Sequence, residues 1–176
     1  MKKFLISATL FSSIFILTSC KQEVKQPNIL FIMTDQQNAE MLSCTGNTYL
    51  NTPALDKLAA RGTRFELAYS PNPVCMPSRT AMLTGFFPSQ YNISSNEDAM
   101  KVDISETVFD QTMGKLIAAG NYNCVYGGKT HWQKGLNYEN TGFTNLTADY
   151  RDVLANKCSE FLKQDHEQPF LLFASF

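Results

Sequence analysis

Within one helical turn the stretch Pro73-Val74-Cys75-Met76-Pro77-Ser78-Arg79 places a thiol, a helix-starting proline and a guanidinium. A cysteine at a helix N-terminus beside an arginine sits where negative charge is stabilised, because the first amides and the helix dipole both favour an anion. Pro77 pre-sets the start of the helix, and Arg79 offers a forked donor suited to a tetrahedral oxyanion. A buried cysteine before an ordinary helix does not account for the combined Cys-x-Pro-Ser-Arg and Leu83-Thr84-Gly85 spacing. Two further groups stand directly after apolar runs: Asp35 with Gln36 after residues 28–34, and Gly128-Lys129-Thr130-His131 after residues 122–126.

Those runs predict the elements that position the candidates. Residues 28–34 form a continuous apolar run, as in a strand buried on both faces of a parallel sheet. Thr52-Pro53 reads as an N-cap and first helical position, with Leu55, Leu58 and Ala59 on one face and Gly62 as terminator. Residues 63–70 read as a second strand, and 77–84 as a helix closed by Gly85. Residues 86–106 show no strong period and read as a long connection. Residues 107–119 read as a helix with Phe109, Met113, Leu116 and Ile117 at helical spacing, ended by Gly120. Residues 122–126 form a short strand. A helix over about 148–164 buries Val153, Leu154, Phe161 and Leu162, and Pro169 opens a closing apolar strand, 170–176. Strands alternating with helices predict an α/β fold: a layered α/β/α sandwich around a largely parallel sheet. The closing strand stops with no chain beyond it to supply neighbours, so the sandwich is expected to be truncated and this strand poorly covered.

The start of the chain has a different character. Lys2 and Lys3 precede an apolar run that ends in Leu17-Thr18-Ser19-Cys20. A basic segment, a short apolar run and small residues before a cysteine resemble a bacterial lipoprotein signal. Residues 1–20 are thus expected to be signal and lipidation site, with Cys20 carrying the lipid, and 21–27 a polar tether. The expected location is the bacterial cell envelope, anchored in the periplasm or at the outer membrane. A formal net charge of −1 excludes the basic excess that a nucleic-acid partner requires. Of five cysteines, Cys44, Cys124 and Cys158 are too widely spaced for a disulfide framework and are expected as free thiols. His166, in the polar run Gln164-Asp165-His166-Glu167, is expected at the surface. Asn92 and Asn145 begin glycosylation sequons by pattern, which carry little weight in such a protein.

The order of landmarks across residues 28–176 resembles the N-terminal part of a type I sulfatase of the alkaline phosphatase superfamily. They are Asp35-Gln36, Thr52-Pro53-Ala54-Leu55-Asp56-Lys57-Leu58-Ala59, the Cys75 to Gly85 signature, Ala118-Ala119-Gly120-Asn121-Tyr122 and Gly128-Lys129-Thr130-His131. The resemblance implies that a sulfatase-maturing enzyme oxidises Cys75 to formylglycine, whose hydrate is the nucleophile toward a sulfate ester on a small molecule or glycan. It implies that Asp35, with Gln36 and the modified Cys75, ligates calcium or magnesium. Gln36 stands where the family often has a second aspartate, which weakens its role. Arg79, Lys129 and His131 match positions that hold the hydrate and the sulfate. The further metal ligands, a second histidine and a second lysine of the family lie downstream of the closing strand, so the domain is expected to be incomplete and inactive by itself. Two alternatives stand beside this one: a phosphoric or phosphonic ester hydrolase of the same superfamily, which more commonly carries Ser or Thr as nucleophile so that Cys75 argues for sulfate esters, and a non-catalytic remnant.

Overall fold

The computed structural model describes residues 25–176. Cys20 and the expected signal lie outside them. Strands β1 (Ile29–Met33), β2 (Asn123–Gly128), β3 (Thr144–Thr147) and β4 (Phe170–Ser175) form a sheet in the order β1-β4-β2-β3, parallel at every pairing. The closing strand is therefore the second in the sheet, hydrogen-bonded on both edges. Every residue of β4 is buried, which corrects the expectation of an uncovered strand. Its unbroken apolar run is what a two-sided environment requires.

The two faces carry different helices, as the sandwich requires. Val125, Phe170, Leu172 and Ala174 pack under α6 (Leu154–Leu162) through Leu154, Cys158 and Phe161. On the opposite face Cys124, Tyr126, Leu171 and Phe173 pack with Leu83 of α2 (Cys75–Thr84), and with Met113 and Ile117 of α4 (Met113–Ala118). Phe173 stacks between Phe31 and Tyr126, with ring centroids 4.5 and 4.6 Å away. Full burial of one such ring is worth about 1.5–3 kcal/mol, so this stack ties β1, β4 and β2 together. Leu30 and Ile32 of β1 are 45% and 53% exposed; α6 covers β2 and β4 and does not reach over them. β1 is thus half-buried on one face and exposed on the other, not buried on two.

Several local expectations change for identifiable reasons. Residues 63–70 form no strand; the alternating Phe65, Leu67 and Tyr69 are exposed and have no strand neighbour among the described residues. Helix α1 (Pro53–Arg61) does start at Pro53, but the Thr52 hydroxyl bonds Ser43 and the Asp56 carboxylate and no helix amide. The connection 86–106 contains a 3-10 turn (Pro88–Tyr91) and α3 (Asn96–Lys101), which Ser95 and Asp98 cap reciprocally. The helix expected over 107–119 breaks at Thr112, whose hydroxyl bonds the carbonyls of Phe109 and Asn140, so a 3-10 turn (Glu106–Gln111) precedes α4. Helix α6 is shorter than expected, with Val153 and Leu162 partly exposed at its ends. Between β2 and β3 lies α5 (Tyr138–Thr141), and neither it nor β3 has an apolar period in the sequence. His166 is half-buried: it lies 4.6 Å from the rings of both Phe161 and Phe170, and its Nε2 bonds the Phe161 carbonyl.

Candidate active site

The carboxyl ends of β1, β4 and β2 meet the N-terminus of α2, at the edge where parallel α/β sheets bring reactive groups together. Asp35 follows β1, Ser175 ends β4, Lys129 follows β2 and Cys75 opens α2. The junctions are pinned by backbone bonds: the Asp35 amide to the Phe176 carbonyl at 3.0 Å and the Lys129 amide to the Ser175 carbonyl at 2.9 Å. Helix α2 begins at Cys75, two residues before Pro77. Of its first-turn donors, Met76 N–H is taken by Asn96 Oδ1 at 2.9 Å and Pro77 has none. The Cys75 amide remains at the positive end of the helix, a position worth about 0.3–1 kcal/mol to a nearby anion.

Asp35, the Cys75/Arg79 pair and Lys129 stand far apart along the chain, and the fold brings them together. Cys75 Sγ lies 3.7 Å from Asp35 Oδ1. The other carboxylate oxygen takes a 2.5 Å bond from Lys129 Nζ, while Arg79 Nη2 stands 3.4 Å from Oδ1. Lys129 first, and Arg79 after it, hold the Asp35 carboxyl below the usual carboxylate range against the opposing effect of burial. Asp35 is therefore ionised at neutral pH. The four residues border two small clefts. One, of about 460 Å³, is lined by Asp35, Gln36, Ser70, Cys75, Ser78 and Arg79; a neighbouring one, of about 530 Å³, is lined by Lys129, Thr130 and His131.

His131 stands at the same end of the sheet without a hydrogen bond to the other four. Its backbone is left-handed at φ 42°, and its Nδ1 is buried without a partner among the described residues. Burial, then the positive charges of Lys129 and Arg79, push its pKa down, with Asp35 partly opposing. The ring is neutral at pH 7 and can take or hold a proton at the rim of the site. Gln36 is exposed and also left-handed, at φ 55°.

The metal expectation meets a short donor set. Among the described residues no three His, Cys, Asp or Glu side chains are placed to share an ion. Calcium takes six to eight oxygens, and here Asp35 is the one carboxylate in the cleft, already paired with two cations. These residues alone do not make a calcium or magnesium site.

Two residues that sequence reasoning passed over complete the cluster. Arg79 is 2% exposed, and its Nη1 donates to the Lys129 carbonyl and Ser175 Oγ, both at 2.8 Å, and to the Tyr126 hydroxyl at 3.4 Å. Tyr126 in turn donates to the Lys129 carbonyl at 2.7 Å. Ser175 and Tyr126 carry hydroxyls in strands that are otherwise mostly apolar, and no local pattern marks them as partners of Arg79. Of the other described thiols, Cys124 and Cys158 are buried and Cys44 is half-buried. Cys44, Cys124 and Cys158 are free, as expected, and burial raises the Cys124 thiol to about 11 and pushes Cys158 up as well.

The family model described as Sulfatase matches residues 27–176. The uncharacterized sulfatase YidJ of Escherichia coli is 38% identical over 144 residues, which span 81% of this chain and 28% of that protein. The N-acetylglucosamine-6-O-sulfatase of Bacteroides thetaiotaomicron is 28% identical over 189 residues, 89% of this chain and 32% of that one. A solved structure in complex with its substrate D-glucosamine-2-N,6-O-disulfate superposes with a TM-score of 0.66 at 26% identity, over 86% of this chain and 34% of that chain. The chain spans about a third of the length of these relatives.

Proposed function

Because this chain belongs to the sulfatase family, we propose that it carries the nucleophile-bearing part of an enzyme that hydrolyses sulfate esters, with sulfated amino sugars of glycans as substrate. One observation supports this above the rest: Cys75, at the first position of α2, sits within 3.7 Å of a carboxylate that Lys129 and Arg79 also bind. An open cysteine among two fixed cations and a helix N-terminus suits the attack on, and the charge of, a sulfuryl group. Two of the relatives support an amino sugar as substrate: one is named a 6-O-sulfatase of N-acetylglucosamine and one is in complex with a disulfated glucosamine.

On this reading a maturing enzyme oxidises Cys75 to formylglycine. One hydroxyl of its hydrate attacks sulfur while the S–O bond to the sugar breaks and the sugar leaves as its alcohol. The second hydroxyl gives up its proton as the aldehyde re-forms and sulfate is expelled. Around it, Lys129 and the cleft-facing nitrogen of Arg79 balance charge on the sulfate oxygens. Asp35 fixes the direction of the Lys129 ammonium and accepts a hydrogen bond from the group at position 75. The neutral His131 holds or accepts a proton at the edge of the cleft. Asp35 would offer one oxygen to a divalent cation, which would help to ionise the attacking hydroxyl, but the described residues do not complete a site for it. Anchoring through a lipid on Cys20, facing the cell envelope, belongs to the same proposal and follows from residues 1–20.

The test is turnover by the protein expressed from its natural reading frame with a sulfatase-maturing enzyme. Glucosamine 6-sulfate is offered beside glucosamine 6-phosphate. Sulfate release is expected on the order of 1 s⁻¹ or faster, within the common range for enzymes, and phosphate release far slower. Faster release of phosphate would favour a phosphoric ester hydrolase, and release of neither would favour a non-catalytic protein.

A further inference from the structure

Arg79 is a buried cation, and its donors are divided unequally. Nη1 meets three oxygens that belong to β2, β4 and the turn after β2: Tyr126 OH, Ser175 Oγ and the Lys129 carbonyl. Nη2 meets Asp35 at the cleft. A buried guanidinium left short of acceptors is costly, so these contacts decide which way the fork faces. Tyr126 and Ser175 are themselves 0% exposed. The Tyr126 ring is fixed by stacking on Phe173 and by edge contacts to Trp132, Tyr138 and Phe143. A phenylalanine would keep all of those ring contacts, so packing gives no reason for the hydroxyl. Its bond to the Lys129 carbonyl reaches the same oxygen that Arg79 Nη1 uses. One hydroxyl therefore joins the arginine to the turn that carries Lys129.

We propose that Ser175 and Tyr126 are positioning residues: their hydroxyls clamp Arg79 Nη1 and the Lys129 turn to the sheet, so that Nη2 and the Lys129 ammonium face the cleft at Cys75. The catalytic meaning of this clamp rests on the sulfate-ester function proposed for the site; its geometry does not. Ser175 at the last position of β4 is the only hydroxyl that the central strand offers to α2. Rigid support of this kind matters because a displacement of about 1 Å in a catalytic group can cost a hundredfold in rate.

Two measurements test it in the protein expressed from its natural reading frame. The first follows the guanidinium protons of Arg79 by nitrogen-15 NMR. The wild type should show slowly exchanging Nη1 protons, and the combined Tyr126→Phe and Ser175→Ala variant should lose that protection. Retained protection in the double variant overturns the clamp, whatever the enzyme does. The second is a kinetic cycle with matured enzyme on glucosamine 6-sulfate. Ser175→Ala should lower kcat roughly ten- to hundredfold with little change in KM, and Ser175→Thr should restore most of it. In an Arg79→Lys background Ser175→Ala should cost little more. Equal cost in both backgrounds would show that Ser175 acts through folding alone and would overturn its positioning role. Absence of turnover in the wild type would count against the proposed function, while the NMR result would still decide the clamp.

Discussion

Cys75→Ala should lower sulfate-ester turnover by roughly a thousandfold or more, as loss of a covalent nucleophile does, while leaving the fold intact. The side chain is half-buried and faces a cleft, so its removal leaves no sealed cavity. The surrounding charges are held by other bonds: Lys129 keeps Asp35, and Arg79 keeps Ser175 and the Lys129 carbonyl. Thermal stability should therefore change by less than about 1 kcal/mol, within the range of substitutions away from packed cores. Steady-state kinetics beside a melting curve separates the two effects. Turnover that survives the substitution would assign the chemistry to another group. Cys124→Ala is the contrasting variant: that thiol is buried and raised to about 11, so its replacement should cost stability and spare the chemistry.

The largest effect on stability is expected at Gly128. Its φ is 94°, and a methyl group built there would lie 2.0 Å from the Ser175 carbonyl oxygen and 2.8 Å from Leu154 Cδ2. The oxygen cannot withdraw, because it accepts the Lys129 amide at 2.9 Å and belongs to a strand hydrogen-bonded on both edges. Gly128→Ala should cost about 3 kcal/mol or more, combining overpacking with a left-handed backbone. Gly46→Ala provides the control: φ there is 96°, but nothing lies within 4 Å of the added carbon. Its cost should be only the roughly 1–2 kcal/mol of the backbone conformation. Urea midpoints for the two variants, with unchanged slopes, check the difference. Equal losses would mean that the ends of β2 and β4 are less closely pressed than the distances indicate. Because Gly128 immediately precedes Lys129, the same substitution should also disturb the active cleft.

What the sequence disclosed depended on how local the determining contacts were. Residues 170–176 were readable as a strand because burial on two faces leaves a continuous apolar run; 28–34 carry a similar run although β1 is covered on one face only. Cys75-Met76-Pro77-Ser78-Arg79 was readable because helix initiation and charge act within a single turn. β3 and α5 were not readable: three of the four residues of Thr144–Thr147 are polar, and its pairing with β2 is set across the sheet. Residues 63–70 misled in the opposite direction, since Phe65, Leu67 and Tyr69 alternate like a strand while the described residues offer no partner. The position of β4 between β1 and β2 is a matter of topology, which no local pattern reports, and this is why its burial came as a correction. In the site, Cys75, Asp35, Arg79 and Lys129 were legible as chemistry-bearing residues after apolar runs or at a helix start. The clamp was not. A serine in an apolar strand and a tyrosine in a core carry no visible purpose until Arg79 arrives from a segment 96 residues away from Ser175.

Whether Cys75 is the prepared nucleophile of a sulfatase is decided by mass spectrometry of the peptide containing it. The protein is expressed with an active sulfatase-maturing enzyme and digested under conditions that block free thiols. The expected spectrum shows formylglycine or its hydrate at position 75, with Cys44, Cys124 and Cys158 recovered as blocked thiols. An unmodified, blocked Cys75, obtained while a known substrate of the same maturing enzyme is converted in parallel, would contradict the account.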